Sequence, residues 1–89
     1  MNVVEVKMGP YTCKIGQPNE KGYVNIFMNF LALDHLNFVQ ELRKQEEVEF
    51  ITNVMDHMDG TGSLSLKLTK TANETDLQSI FQILLFKYF

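Results

Sequence analysis

The sequence predicts an α+β protein in which an antiparallel sheet of about four strands is covered on one face by two helices, in the order ββαββα. Three observations lead to this prediction. Apolar and polar residues alternate in the first 30 residues and again over residues 63–69, as they do in half-buried strands. Each of these regions is followed by a segment with the spacing of an amphipathic helix. The chain has 89 residues, 45% of them hydrophobic, and we expect residues 1–89 to form a single compact domain.

The first strand is predicted to be kinked or broken at the dipeptide Gly9-Pro10. Its alternating apolar residues are Val4, Val6, Met8, Tyr11, Cys13 and Ile15. Because proline has no amide hydrogen to give to a ladder, we expect the break at a sheet edge or at a turn. The glycine- and proline-containing segment 16–22 predicts a hairpin loop, and a second strand follows over residues 23–30.

The first helix is predicted to begin at Asp34 and to end near Gln45. The Asp34 carboxylate is a good N-cap, because it can accept hydrogen bonds from the free amides of the first helical turn. Leu36, Val39 and Leu42 have helical spacing and form the expected apolar stripe.

The segment 46–58 fits both a strand and a helix. The strand positions are Val48, Phe50, Thr52 and Val54, and the helix positions are Val48, Ile51, Met55 and Met58. The next segment alternates regularly over residues 63–69, after a turn-like connector at residues 59–62. Since a hairpin needs a neighbouring strand, we predict a strand over about 48–55.

The last helix is predicted to run from the Thr71–Glu74 region to the C-terminus. The spacing of Thr71 and Glu74 matches a capping box, and Asn73 is an alternative N-cap. The expected core face is formed by Leu77, Ile80, Phe81, Leu84 and Tyr88.

Charge, cysteine content and hydropathy exclude several classes of function. The chain has 8 basic and 11 acidic residues and no run of more than two basic residues, so direct nucleic-acid binding is not expected. No apolar run approaches the roughly 20 residues of a membrane span, and we expect no membrane partner. The single cysteine, Cys13, and an N-terminus unlike a signal peptide indicate the cytoplasm.

The segment Asp56–Leu64, with a DG-x-G core and a following aliphatic residue, resembles part of a calcium-binding EF-hand loop. With Gly62 aligned to the central glycine, the loop would begin at His57 and end at Leu68. The first acidic ligand and the closing glutamate of an EF-hand are then absent, and calcium binding is not expected. If the segment were an EF-hand, residues 46–58 would be helical. A metal-binding sensor or enzyme using the loop of His57 and Asp59 remains an alternative function.

No established catalytic motif occurs in the sequence. The patterns G-x-S-x-G, P-loop, HExxH and CxxC are absent. Cys13 alternates in phase with Tyr11 and Ile15, which favours a buried, inert thiol. We therefore expect no enzyme activity, no cofactor and no metal site.

Two surfaces are predicted to contact other molecules. Residues 34–59 contain seven acidic and two basic residues, a net charge of −5, and would form an acidic face that meets a basic protein surface. The residues of this face are Glu41, Glu46, Glu47, Glu49, Asp56 and Asp59. The second surface is apolar, because the chain has more apolar residues than a monomer of this size can bury. Its predicted interface residues are Phe27, Leu85, Phe86 and Phe89.

The sequence thus predicts a small, acidic, non-catalytic protein-binding module. Its role would be to inhibit or regulate a partner protein, as small phage or mobile-element proteins do, through the acidic middle region and the apolar C-terminal helix. The alternative is a structural subunit, whose apolar helix would hold together a homo-oligomer.

Overall fold

In the computed structural model, which describes residues 3–30 and 35–89, an antiparallel sheet carries two helices. The elements in chain order are β1 (Val4–Met8), β2 (Tyr11–Ile15), β3 (Tyr23–Met28), α1 (Leu36–Arg43), β4 (Val48–Asp56), β5 (Gly62–Leu68) and α2 (Glu74–Tyr88). The predicted α+β class is confirmed, and the sheet has five strands where about four were expected.

The strands lie in the order β1-β2-β3-β5-β4, and every neighbouring pair is antiparallel. Helix α1 connects β3 to β4, which is not a neighbour of β3 in the sheet. Strand β5 follows β4 in the chain and lies between β3 and β4. This arrangement leaves β1 and β4 at the two edges of the sheet.

The additional strand arises at Gly9-Pro10. The dipeptide is a tight turn between two paired strands, with Met8 opposite Tyr11 and Val4 opposite Ile15. Gly9 has a φ of 58°, a conformation that glycine adopts without steric cost. The interruption is therefore a hairpin, as the missing amide hydrogen of proline allows.

Both helices pack on the same face of the sheet, as predicted. Helix α2 lies over β1 and β2, α1 lies over β4, and the helices contact each other. The fully buried side chains beneath and within them include Cys13, Ile15, Val24, Ile26, Met28, Phe38, Leu42, Leu64, Leu66, Leu77, Phe81 and Leu85. The opposite side of the sheet has no helix on it in the described part of the chain, and we call it the open face.

The first helix begins at Leu36 with His35 as its N-cap residue, and the predicted cap Asp34 lies outside the described residues. Leu36 was expected in the apolar stripe, but it is 60% exposed. The buried residues of the helix are Phe38, Val39 and Leu42, so its inward side is turned away from Leu36.

The predicted strand over 48–55 is confirmed as β4, but its strict alternation is wrong. The ladder with β5 shifts register twice, between Val48 and Phe50 and between Thr52 and Met55. Each shift inserts one extra residue, which is a β-bulge, and Asn53 at the second has a φ of 53°. As a result, Phe50 and Thr52 lie opposite open-face residues of β5, whereas Val48 points into the core.

The second helix uses the alternative N-cap. Asn73 Oδ1 accepts a hydrogen bond from the Asp76 amide at 3.0 Å, and the Asp76 carboxylate accepts one from the Asn73 amide at 3.1 Å. The predicted capping box of Thr71 and Glu74 is wrong, because the helix begins two residues later than that box requires.

Candidate functional site

The open face carries several partly exposed aromatic side chains. Cross-strand neighbours point to the same side of a sheet, so the register identifies its residues. The side chains on this face include Lys14, Tyr23, Phe27, Phe50, Ser63 and Lys67. Both helices lie on the other side, so these groups face outward.

One aromatic pair lies at the end of the open face where β4 begins. Tyr23 and Phe50 face each other across Lys67, which is opposite both residues in the register. Their ring centroids are 5.9 Å apart in an edge-on arrangement. Phe50 is 40% exposed, so a substantial part of its ring is accessible to a binding partner.

A second aromatic pair lies near the β4–β5 turn. The rings of Phe27 and His57 are stacked with centroids 5.9 Å apart, and His57 Nε2 is 2.9 Å from Ser63 Oγ. Phe27 is 43% exposed, which agrees with its predicted outward position. Lys14 and Asn25 line the shallow hollow beside this pair.

A polar bridge separates the two aromatic pairs. Ser65 Oγ donates a hydrogen bond to Asn25 Oδ1 at 2.7 Å, on the two central strands of the face. Tyr23 and Phe27 are four residues apart on β3, which corresponds to about 13 Å. The two pairs are thus separate aromatic clusters on one sheet.

The predicted acidic residues divide into groups instead of forming one face. Glu49 lies at the beginning of β4, next to Phe50 in the chain, and Glu46 and Glu47 lie in the turn just before this strand. Asp56 and Asp59 lie at its far end, about 20 Å away along the strand. Glu41 belongs to α1, in the helix layer on the other side of the sheet. The expectation of a single acidic patch is therefore wrong in its geometry.

Three of these carboxylates stabilise local structure. Glu49 Oε2 lies 2.8 Å from Lys67 Nζ, and this hydrogen bond raises the pKa of Lys67. Asp56 Oδ1 accepts from the Met58 amide at 2.7 Å. Asp59 accepts hydrogen bonds from the hydroxyl and the amide of Thr61, and these bonds lower the pKa of Asp59.

The predicted apolar interface residues have different environments. Phe86 is 78% exposed, as an interface residue would be, and its neighbour Ile83 is 66% exposed. Leu85 is fully buried, so its predicted interface position is wrong. The reason is that α2 buries a broad stripe that includes Phe81, Leu84 and Leu85.

Phe89 is a member of an intramolecular aromatic cluster. Its ring centroid lies 4.2 Å from that of His35, 4.5 Å from that of Tyr11 and 4.8 Å from that of Phe30. Phe89 is half-buried in this cluster, so the predicted role as a free interface residue is not supported. It fastens the end of α2 to the sheet and to the start of α1.

The loop that resembles part of an EF-hand is a β-hairpin connection. Residues 46–58 would have to be helical in an EF-hand, but most of this segment is β4. Within residues 3–30 and 35–89, no three His, Cys, Asp or Glu side chains are grouped so that they could hold a metal ion. His57 is instead oriented by Phe27 and Ser63.

The thiol of Cys13 is expected to be unreactive in the folded protein. Cys13 is completely buried in the sheet, and burial raises its pKa to about 12, so the thiol stays neutral at about pH 8. We predict that iodoacetamide labels the folded protein much more slowly than the urea-unfolded protein, as mass spectrometry would measure. Equal labelling rates in the two states would contradict this prediction.

No family model, curated protein or solved structure compared with this chain matches it. Among the described residues, no helix has the length and hydropathy needed to cross a bilayer.

Proposed function

We propose that this protein is a small binding module that inhibits or regulates a partner protein through the open face of its sheet, without performing a chemical step. The observation that supports this proposal is the presence of two partly exposed aromatic pairs on a face that the chain's own helices leave uncovered. Each pair lies beside acidic residues. The combination suits a partner that presents basic side chains around an apolar centre.

Aromatic residues commonly supply the binding energy of protein interfaces. Phe27 and Phe50 are each supported on one side by another ring, and both leave about two fifths of their surface exposed. A rigid sheet holds them in place before binding, so little side-chain entropy is lost in the complex. Their burial by a partner would complete two small apolar clusters.

The charges at the β4 edge of the open face favour a basic partner, whereas Lys14, beside Phe27, is a basic side chain with no acidic group within 4.0 Å among the described residues. Glu46 and Glu47 have no basic group within 4.0 Å among the described residues, and the same is true of Asp56. Lys67 is already paired with Glu49 and Lys7 with Glu5. An arginine of the partner can stack on an aromatic ring and pair with a neighbouring carboxylate, a geometry that lysine matches less well. The single buried cysteine fits a cytoplasmic setting for this interaction.

The proposal predicts that Phe50→Ser strongly reduces partner capture while the protein stays folded. Truncation of an aromatic interface residue weakens the binding free energy by about 2 kcal/mol, so the affinity for the partner should fall about 30-fold. Tagged wild-type and variant proteins would be compared by quantitative capture from native cells, with circular dichroism as the check on folding.

The double substitution Glu46→Lys with Glu47→Lys should weaken capture of the same partner and make binding less dependent on salt.

The matched control is Leu36→Ser, which removes a comparably exposed apolar residue from the helix layer. Capture that is reduced by Phe50→Ser and kept by Leu36→Ser supports the open face. Capture that is insensitive to Phe50→Ser and to the glutamate substitutions would show that the partner binds elsewhere, and would reject this proposal.

A further inference from the structure

The hydrogen bonds of β2 determine which backbone groups of β1 are free. The Thr12 amide donates to Asn29 Oδ1 at 2.8 Å, and the Thr12 carbonyl accepts from the Asn29 amide at 3.1 Å, so the backbone of Thr12 points to the β3 side. Successive residues of an antiparallel strand point to opposite edges, so Cys13 points to β1. Its register partner Val6 consequently points back to β2.

Glu5 and Lys7 therefore direct their amides and carbonyls to the outer edge of β1. No other strand of residues 3–30 and 35–89 pairs with that edge, because β1 is the terminal strand of the sheet. The edge is regular, since the β1–β2 register has no shift from Val4 to Met8. Four aligned backbone groups on a regular edge are a template for one more strand.

We propose that two copies of this chain associate by antiparallel pairing of their β1 strands about a twofold axis at Val6, which gives one continuous ten-stranded sheet. In this register, Glu5 of each copy lies opposite Lys7 of the other, and the two Val6 residues face each other. The outward backbone groups of Glu5 and Lys7 then form four hydrogen bonds between the copies. This inference concerns a different surface from the open-face contact and does not depend on it.

The side chains of β1 are self-complementary in this register. Glu5 and Lys7 are on the open-face side and already form an ion pair within one chain, with Lys7 Nζ 3.0 Å from Glu5 Oε1. Around the axis, each carboxylate would face an ammonium group of the other copy, which favours antiparallel self-pairing. On the helix side, Val4 would face Met8 of the second copy, and both are only half-buried in one chain.

The flank of α2 supplies apolar surface beside the same edge. Ile83 and Phe86 are 66% and 78% exposed, and they line a hollow together with Met8 of β1. Strand pairing over five residues buries little area, and a stable interface needs about 1,000 Å² or more. A twofold axis at β1 brings the two α2 flanks to the same side of the extended sheet, where their apolar residues add to the buried area.

The other edge of the sheet is unsuited to such pairing. Strand β4 has two bulges, and Asn53 in the second has a left-handed backbone conformation. Bulges interrupt the row of hydrogen-bonding groups and twist an edge away from an incoming strand. The contrast between the two edges points to β1 as the pairing edge.

A charge exchange on β1 tests the proposal. Light scattering and sedimentation over a range of concentrations should show a dimer for the wild type. Lys7→Glu places carboxylates opposite carboxylates and should raise the dissociation constant at least about tenfold. The double variant Glu5→Lys with Lys7→Glu restores the alternation and should recover the dimer.

Three controls make the outcome specific, with circular dichroism used to confirm that every variant is folded. Lys44→Glu makes the same charge change at the C-cap of α1 and should leave the dimer intact. Phe86→Asp should weaken it, whereas Phe50→Ser should not. A wild type that stays monomeric at high concentration would overturn the proposal. A dimer that is unaffected by Lys7→Glu, or one lost on Phe50→Ser, would also overturn it, the latter by placing the interface on the open face.

Discussion

Phe38→Ala is expected to lower the free energy of unfolding by about 3–5 kcal/mol, a large part of the total stability of about 4–13 kcal/mol for a chain of this size. Phe38 is completely buried where the two helices meet the sheet. Its ring centroid lies 5.7 Å from that of Phe81 and 6.1 Å from that of Phe30. Removing the ring leaves a cavity that these neighbours cannot fill without moving, so both the transfer energy and the packing are lost.

The measurement is a urea denaturation curve followed by circular dichroism, with Leu36→Ala as the matched control. Leu36 is on the same helix two residues earlier and is 60% exposed, so its replacement should change stability by less than about 0.5 kcal/mol. The predicted order is a much lower urea midpoint for Phe38→Ala than for Leu36→Ala. Similar midpoints for the two variants would mean that α1 is not packed as described.

Phe89→Ala is expected to destabilise the fold by about 2 kcal/mol. The half-buried ring of Phe89 contacts His35, Tyr11 and Phe30, and so joins α2 to the sheet and to the start of α1. Its loss releases the end of the helix and exposes apolar surface of the other rings. The expected value is smaller than for Phe38 because Phe89 is not fully buried.

Phe86→Ala is the appropriate comparison, because it makes the same substitution one turn earlier on α2. Phe86 is 78% exposed, so we expect less than about 0.5 kcal/mol of destabilisation for a monomer. Thermal unfolding at low protein concentration would measure both variants without a contribution from self-association. If Phe86→Ala were the more destabilising substitution, the assignment of Phe89 to the intramolecular cluster would be wrong.

The elements of this fold were predictable wherever local pattern and burial agree. The alternation of Leu64, Leu66 and Leu68 identifies β5, and the helical spacing of Leu77, Ile80 and Phe81 identifies the inward side of α2. Such positions are periodic because one side of each element faces the core. The number of strands was less predictable, since a proline next to a glycine fits both a kink and a tight turn.

The candidate site was less predictable than the fold. Phe27 follows the regular alternation of β3, so its outward position could be predicted. Phe50 was expected on the same side as Val48, and the bulge between them reverses this relation. A bulge depends on how β4 pairs with β5, which the local sequence does not specify; the adjacent apolar residues Phe50 and Ile51 were the available signal.

The acidic residues show a related limit of sequence analysis. Their closeness in sequence suggested one surface, but an extended strand separates Glu49 from Asp56 by about 20 Å. Glu41 lies in the helix layer because α1 is on the covered face. Net charge over a segment therefore indicates composition, and the topology decides whether the charges act together.

The junction of β3 with β5 has a consequence for how the chain folds. Strands β1, β2 and β3 follow one another in the sequence, and so do β4 and β5. The strands within each group can therefore pair after closure of short loops. The junction brings together residues as distant as Asn25 and Ser65, 40 positions apart in the chain. Closing so long a segment is entropically slow, and we expect this step to limit the folding rate, so that weakened contacts there retard refolding more than equal losses within either hairpin.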